Sequence, residues 1–150
     1  MSAILRPGGP GDLDALVAGN AAMAVETEGI TLDPATLRAG VAAVLCGAAP
    51  GFYRVIEEEG VVVAQLLVTY EWSDWRNRPV WWIQSVYTQP EHRGRGHYKR
   101  LYTAVLEEAS ASGAAGVRLY VDARNVAAQA VYQALGMDGG HYQVFERMFK

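Results

Sequence analysis

Residues Gln84–Tyr102 read QSVYTQPEHRGRGHYKRLY. The stretch gathers four Lys/Arg and two His around Gly94 and Gly96. A run rich in β-branched and aromatic residues, PVWWIQSVYT, precedes it and reads as a strand with apolar residues on both faces. A helical pattern follows from about Gly96 to Ala109, with Leu101, Val105 and Leu106 turned inward. The first turn of a helix leaves backbone N–H groups unpaired, and the macrodipole adds partial positive charge there. Glycines remove Cβ atoms, so an anion can come close to those amides. Arg93, Arg95, Lys99 and Arg100 add attraction. The corner therefore reads as a site for a phosphate-bearing ligand, against the plainer reading of a solvated basic loop. Two other phosphate motifs fit badly. No Gly-Lys-Ser/Thr string of a Walker loop occurs, and Lys99 stands where a dinucleotide fingerprint needs its third glycine.

Outward from the corner, the chain alternates short apolar runs with turn signals. AILR predicts a first strand, and Asp12 after GGPG is the expected N-cap of a helix over DLDALVAGNAAMAVE. Asp33 and Pro34 open a second helix, TLDPATLRAGVAAVL. GFYRVIEEEGVVVAQLLVTYEW reads as a β-hairpin about an acidic turn that ends in glycine. After the corner come a strand in AGVRLYVDA, a helix VAAQAVYQAL capped by Asn125 and stopped by Gly136, and a final strand HYQVFERMF. The order β-α-α-β-β-β-α-β-α-β implies one α/β domain over residues 1–150, its mixed, mostly antiparallel sheet flanked by helices.

Composition narrows the function classes. Residues 92–100 hold four of the 13 Lys/Arg and none of the 16 Asp/Glu, leaving a net of −7 on the remainder. An acidic protein with one basic knot suits a small polyanion and argues against nucleic acid. No uncharged stretch is long enough to span a bilayer, and the N-terminus lacks a signal-peptide pattern, which points to a cytoplasmic protein and no membrane partner. The single cysteine, Cys46, sits in VAAVLCG and reads as a buried, inert thiol. It has no His or Cys companion, so no metal site is expected.

At this point the sequence resembles a family. VYTQPEHRGRGHYKRLY is similar to the acetyl-CoA-binding motif of the GNAT superfamily of N-acetyltransferases, Gln/Arg-x-x-Gly-x-Gly/Ala. Arg93, Gly94, Arg95, Gly96 and His97 fill the first five positions, and Tyr98 replaces the small sixth residue. Asn125, Ala128, Tyr132 and Gly136 match a second pattern, Asn-x-x-Ala-x-x-x-Tyr-x-x-x-Gly, with Met137 where Phe is common. The two blocks lie in the family's order, so the resemblance covers nearly the whole chain.

The resemblance implies an acetyl-CoA-dependent N-acetyltransferase acting on a primary amine, here expected to be that of a small molecule. It implies that the strand over Ser85–Thr88 splays from its neighbour to admit the pantetheine arm, with Val86 and Thr88 giving backbone contacts. The Val86 N–H would meet the acetyl oxygen, Asn125 would touch the pantetheine while capping its helix, and Tyr132 would be the general acid. Glu26 and Glu28, placed between the first two helices, and Glu71 and Asp74, at the far end of the third strand, fall where an acceptor would bind. Glu28 and Glu71 are the expected catalytic carboxylates. The aromatics of EWSDW offer a wall for the acceptor, and those of HYQVFERMF a surface for a homodimer. A non-catalytic acyl-CoA-binding module and a protein or peptide N-acetyltransferase stay open as alternatives.

Overall fold

The computed structural model describes residues 2–149. The chain forms two compact units, Met1–Leu119 and Tyr120–Lys150. The first holds β1 (Ala3–Pro7), α1 (Leu13–Glu28), α2 (Pro34–Leu45), β2 (Phe52–Glu58), β3 (Val61–Ser73), β4 (Arg78–Thr88), α3 (His97–Ala111) and β5 (Gly116–Leu119). The strands line up in chain order, antiparallel from β1 to β4, with β5 parallel to β4. This is the mixed, mostly antiparallel sheet flanked by helices that the sequence implies.

Local chemistry accounts for the joints. Glu59 and Gly60 both take positive φ between β2 and β3, as a two-residue hairpin turn of the primed type requires. The Asp33 carboxylate accepts from the Thr36 N–H (2.9 Å) and caps α2, with Pro34 in its first turn. Side-chain alternation then sorts the faces. Tyr53 and Val55 of β2 share a core cluster with Leu16 of α1 and Val41 of α2. Arg54, on the opposite face, donates to Glu108 of α3 (3.0 and 2.8 Å). Helices α1 and α2 therefore cover one face of the sheet and α3 the other. Contact between α1 and β3 is close because residue 19 is glycine. A Cβ there would lie 2.0 Å from the Gln65 amide oxygen, whose Nε2 donates to the Leu16 carbonyl (3.1 Å).

Two irregularities in β4 prepare the site. Leu67 pairs with Ser85 while Val68 pairs with Ile83, so Gln84 is an extra residue, a β-bulge. At the same place the parallel pairing with β5 stops, its last pair being Ile83 with Leu119.

The second unit contains α4 (Val126–Ala134). Asn125 Oδ1 accepts from the Ala128 N–H (3.1 Å), and Gly136 closes the helix with φ +87°.

Four expectations need correction. No strand forms over residues 141–149, because a strand exists only through a ladder partner and these residues pair with none of the described strands. Cys46 is exposed, since it falls at the C-cap of α2 and not on its apolar stripe. Helix α1 runs on to Glu28, so Glu26 and Glu28 belong to its last turn and not to a connecting loop. Asp12 precedes α1 without capping it; its carboxylate accepts instead from Arg6 (2.8 and 2.9 Å) and from the Gly9 N–H (2.8 Å).

The Arg6–Asp12 pair sets a measurable pH dependence. The Arg6 hydrogen bonds hold the buried Asp12 carboxyl below its ordinary 3.8, while burial alone would raise it. Wild-type stabilisation is therefore complete above that ordinary value and fades as pH falls through the depressed one. Arg6→Met is expected to cost roughly 1–3 kcal/mol at neutral pH by leaving a buried carboxylate unpaired. The deficit should narrow as the pH is lowered to about 4, where the variant's Asp12 takes up a proton. Urea denaturation at both pH values checks this.

Candidate functional site

Strand β4 outruns β5 by the stretch Gln84–Thr88, and among the described residues that outer edge has no strand partner. Beside it lies a cavity of about 330 Å³, in the size range of small-ligand sites. Val86, Tyr87 and Thr88 form one wall, the corner residues His92, Arg93, Gly94, Gly96, His97 and Tyr98 a second, and Met23, Glu26 and Thr27 of α1 a third. The Thr88 hydroxyl is buried there without a hydrogen-bond partner among the described residues.

At the head of α3 the backbone is open to an anion. The first intrahelical N–H bond belongs to Arg100, which donates to Gly96 (3.0 Å), and no side chain caps the helix. The amides of His97, Tyr98 and Lys99 therefore precede any helical acceptor. Gly94 and Gly96 take φ of +78° and +80°, and a Cβ on either would meet nothing within 4 Å. Glycine is required at both by the left-handed backbone, and the space before them is clear. Tyr98, the departure from the motif, packs its ring on Tyr102 one turn on (5.1 Å between centroids). Its side chain thus stacks along the helix.

The arginines of the corner are engaged within the protein. Arg93 donates to both oxygens of Glu26 (2.6 and 2.9 Å) and through Nε to the Thr88 carbonyl (2.9 Å). Its guanidinium also lies over the Tyr87 ring. The hydrogen bond from Arg93 holds the Glu26 carboxyl below its usual range. Burial, then the Glu26 charge, pushes the Tyr87 phenol up. Arg95 donates to Glu58 (3.3 Å), and that one carboxylate also lies 2.7 Å from His92 Nδ1 and 3.0 Å from the buried His97 Nε2. Burial works to raise the Glu58 pKa, but the two histidine contacts bring it below the ordinary value. The end of β2 thus clamps the loop from behind.

Of the residues singled out in the sequence, Glu26, Val86, Thr88, Arg93, Gly94, Gly96, His97 and Tyr98 share the cavity. Arg95 faces Glu58 instead. Glu28 is exposed on the last turn of α1, and Glu71 pairs with Arg118 on β5. Trp72 and Trp75 are exposed. Asn125 and Tyr132 belong to the second unit, where Asn125 caps α4 and Tyr132 is that helix's buried residue. Sequence reasoning missed Met23, Thr27, Tyr87 and Glu58. Only for Tyr87 was a signal present, since it sits between Val86 and Thr88 on the strand already implicated.

Comparison with known proteins gives a consistent result. The acetyltransferase (GNAT) family model matches residues 24–137. Mycothiol acetyltransferase of Kocuria rhizophila is 37% identical over 65 residues, 43% of this chain and 22% of that protein. Thialysine N-epsilon-acetyltransferase of Bos taurus is 34% identical over 75 residues, 50% of this chain and 44% of that protein. The aligned parts thus span less than half the length of either relative. A crystal structure of a possible acetyltransferase from Clostridium difficile 630 superposes with a TM-score of 0.91 at 37% identity, covering 100% of this chain and 99% of that one. Aminoglycoside N-acetyltransferase AAC(6')-Iy in complex with CoA superposes with a TM-score of 0.80 at 18% identity, over 98% and 95% of the two chains, and shares the fold.

The pairing of Arg93 with Glu26 leads to a prediction of unusual sign. Glu26→Gln removes a negative charge from the cavity wall and releases a guanidinium toward it. CoA should bind about 2- to 5-fold more tightly at low salt, with a steeper salt dependence. Stability should change by less than about 1 kcal/mol, since the pair is solvent-exposed. Gly96→Val should act the other way, weakening CoA more than about tenfold by straining the left-handed turn and filling the approach to the amides. Calorimetry at two salt concentrations checks both variants.

Proposed function

The chain belongs to the acetyltransferase (GNAT) family, and from that premise we propose that it transfers an acetyl group from acetyl-CoA to the primary amine of a small molecule. The observation that carries the proposal is the meeting, in one cavity, of the unpaired β4 edge, the partnerless Thr88 hydroxyl and the uncapped head of α3. That set fits an ester of pyrophosphate joined to an amide-bearing arm. The α3 amides hold the diphosphate, while the backbone groups of Val86 and Thr88 hold the arm through hydrogen bonds of strand type. Acetyl-CoA supplies an activated thioester carbonyl.

Within this reading each residue has a stated task. The Val86 N–H, fixed in β4, donates to the thioester oxygen as negative charge develops there, which is worth about 3 kcal/mol of barrier. Tyr132 gives its phenolic proton to the departing thiolate, and Asn125, besides capping α4, contacts the arm. Glu28 accepts the acceptor's ammonium proton through water. Glu71, its charge answered by Arg118, helps to bind the acceptor. The relative named for an N-epsilon-acetyl transfer supports an amine acceptor. The amine attacks the thioester carbonyl directly within a ternary complex, without an acyl-enzyme.

Thiol release across a panel of polyamines, amino acids, aminoglycosides, aromatic amines and peptides tests the proposal. It is expected to find at least one small amine that turns over, with acetyl-CoA bound and ATP not. Turnover on peptides alone would select the protein-acetyltransferase alternative, and binding without turnover the non-catalytic one. With an acceptor in hand, Tyr132→Phe should lower kcat by about 10²-fold and leave the acetyl-CoA Kd within a factor of two or so. An unchanged kcat would remove Tyr132 from the acid role.

A further inference from the structure

Glu58 closes β2 from within the sheet. Its backbone is paired with Ala3 of β1 on one side and Val61 of β3 on the other, so two ladders hold it in place. Its carboxylate meets three side chains of the corner. His97 Nε2 lies 3.0 Å from Oε1, while His92 Nδ1 and Arg95 Nη1 lie 2.7 and 3.3 Å from Oε2. Burial alone would raise the Glu58 pKa, yet the histidine contacts keep it below the ordinary value. An ionised carboxylate only accepts hydrogen bonds, so all three side chains donate to it.

The three donors are spaced around the two glycines of the loop. His92 precedes Gly94, Arg95 stands between Gly94 and Gly96, and His97 follows Gly96. Both glycines take left-handed backbone, with φ of +78° and +80°, and glycine has more freedom to lose on ordering than any other residue. Backbone bonding does not hold this stretch. Among the described residues the amides of Gly94, Arg95 and Gly96 make no backbone hydrogen bond. Side chains hold it instead: Arg93 reaches Glu26 and the Thr88 carbonyl, and the other three ties converge on Glu58. The His97 tie bears directly on the anion site, because that ring is buried and the same residue opens α3.

We propose that Glu58 is a positioning residue that sets the preference for a diphosphate-bearing thioester donor over one with the same arm and no diphosphate. The proposal rests on the reading of the cavity as an acetyl-CoA site. Glu58 is not among the residues lining that cavity, and its charge has the same sign as the ligand's, so its effect passes through the loop. With the loop held, a diphosphate finds the amides of His97, Tyr98 and Lys99 already aimed and need not order two glycines on binding. With Glu58 neutral, the ligand itself must assemble those amides, and only its diphosphate end loses affinity. The arm, which pairs with β4, is indifferent to the change.

The sign of one substitution separates this role from simple electrostatics. Glu58→Gln keeps the length of the side chain and removes its charge. Coulomb attraction alone would then tighten CoA binding, as expected for Glu26→Gln, whereas loss of position weakens it. Calorimetry on the full chain should show CoA binding about tenfold weaker than in wild type. NMR titration with pantetheine, the thiol arm without the diphosphate, should give the same response in both proteins. Amide exchange at residues 93–99 of the ligand-free variant should be about fivefold faster, with β3 and β4 unchanged. Glu58→Asp keeps the charge but draws it back by about 1.5 Å; it should show the same pattern at about threefold and serves if the Gln variant does not fold. CoA bound as tightly as in wild type or more so, a pantetheine response that falls with it, unchanged exchange at 93–99, or loss of folding in both variants would each overturn the proposal. A wild type that binds no CoA would overturn the acetyl-CoA reading and this proposal together, while binding by wild type with no loss in the variants overturns the proposal alone.

Discussion

The structure depends on a place where hydrogen bonding stops. Parallel pairing between β4 and β5 ends at Ile83 and Leu119, and the bulge at Gln84 falls at that point. Had β5 continued alongside, its backbone would have satisfied Gln84–Thr88 and its side chains would have filled the cavity. Buried backbone groups need partners, so a strand edge left open inside a fold is a demand for an external one. Specificity follows from the geometry of a ladder. A ligand must offer donors and acceptors at strand spacing, next to an anion that reaches the head of α3.

Two kinds of positive charge compete for credit at that head. The four Lys/Arg of the corner are conspicuous in the sequence, yet Arg93 faces Glu26, Arg95 faces Glu58 and Arg100 donates to the Ala3 carbonyl (2.6 Å). A solvated point charge about 6 Å from a phosphate contributes only about 0.7 kcal/mol. A charge-assisted hydrogen bond from a fixed amide contributes about 1.5–3 kcal/mol, and three amides are available. The amides prevail. The arginines act chiefly as braces: Arg93 joins α1 to the corner, and Glu58 draws His92, Arg95 and His97 toward the end of β2. On the reading proposed above, an acidic chain, at −3 overall, would hold its anion through amides and not through net charge.

Most of the frame was legible in the sequence because its signals are local. Asp33 with Pro34, Asn125 with Gly136, and the Glu59–Gly60 turn each act within four residues or on their own backbone. Gly94 and Gly96 were found for a partly incomplete reason, since left-handed backbone as well as ligand clearance demands them. What escaped was non-local. Asp12 looks like a cap until Arg6, held by β1, reaches its carboxylate. Glu58 meets the corner only because β2 arrives there, and Glu26 only because α1 does, across separations of 39 residues for Glu58–His97 and 67 for Glu26–Arg93. Residues 141–149 carry a strand's composition, but composition alone supplies no ladder partner.

The same non-local pairing bears on where an acceptor's proton goes. A carboxylate already answered by a cation is a poor base, because its charge is stabilised and its pKa is driven down. Glu26 is held in this way by Arg93, and its pKa is lowered accordingly. Glu58, gripped by two histidines and an arginine, is lowered too. Glu28 has no ion-pair partner among the described residues and stands two positions beyond Glu26, on the helix end that forms a wall of the cavity. Its exposure keeps it in contact with water, the relay through which the proposed proton transfer would run. Glu26, paired with Arg93, lines the cavity wall, and Glu28 is the carboxylate proposed to take the acceptor's proton.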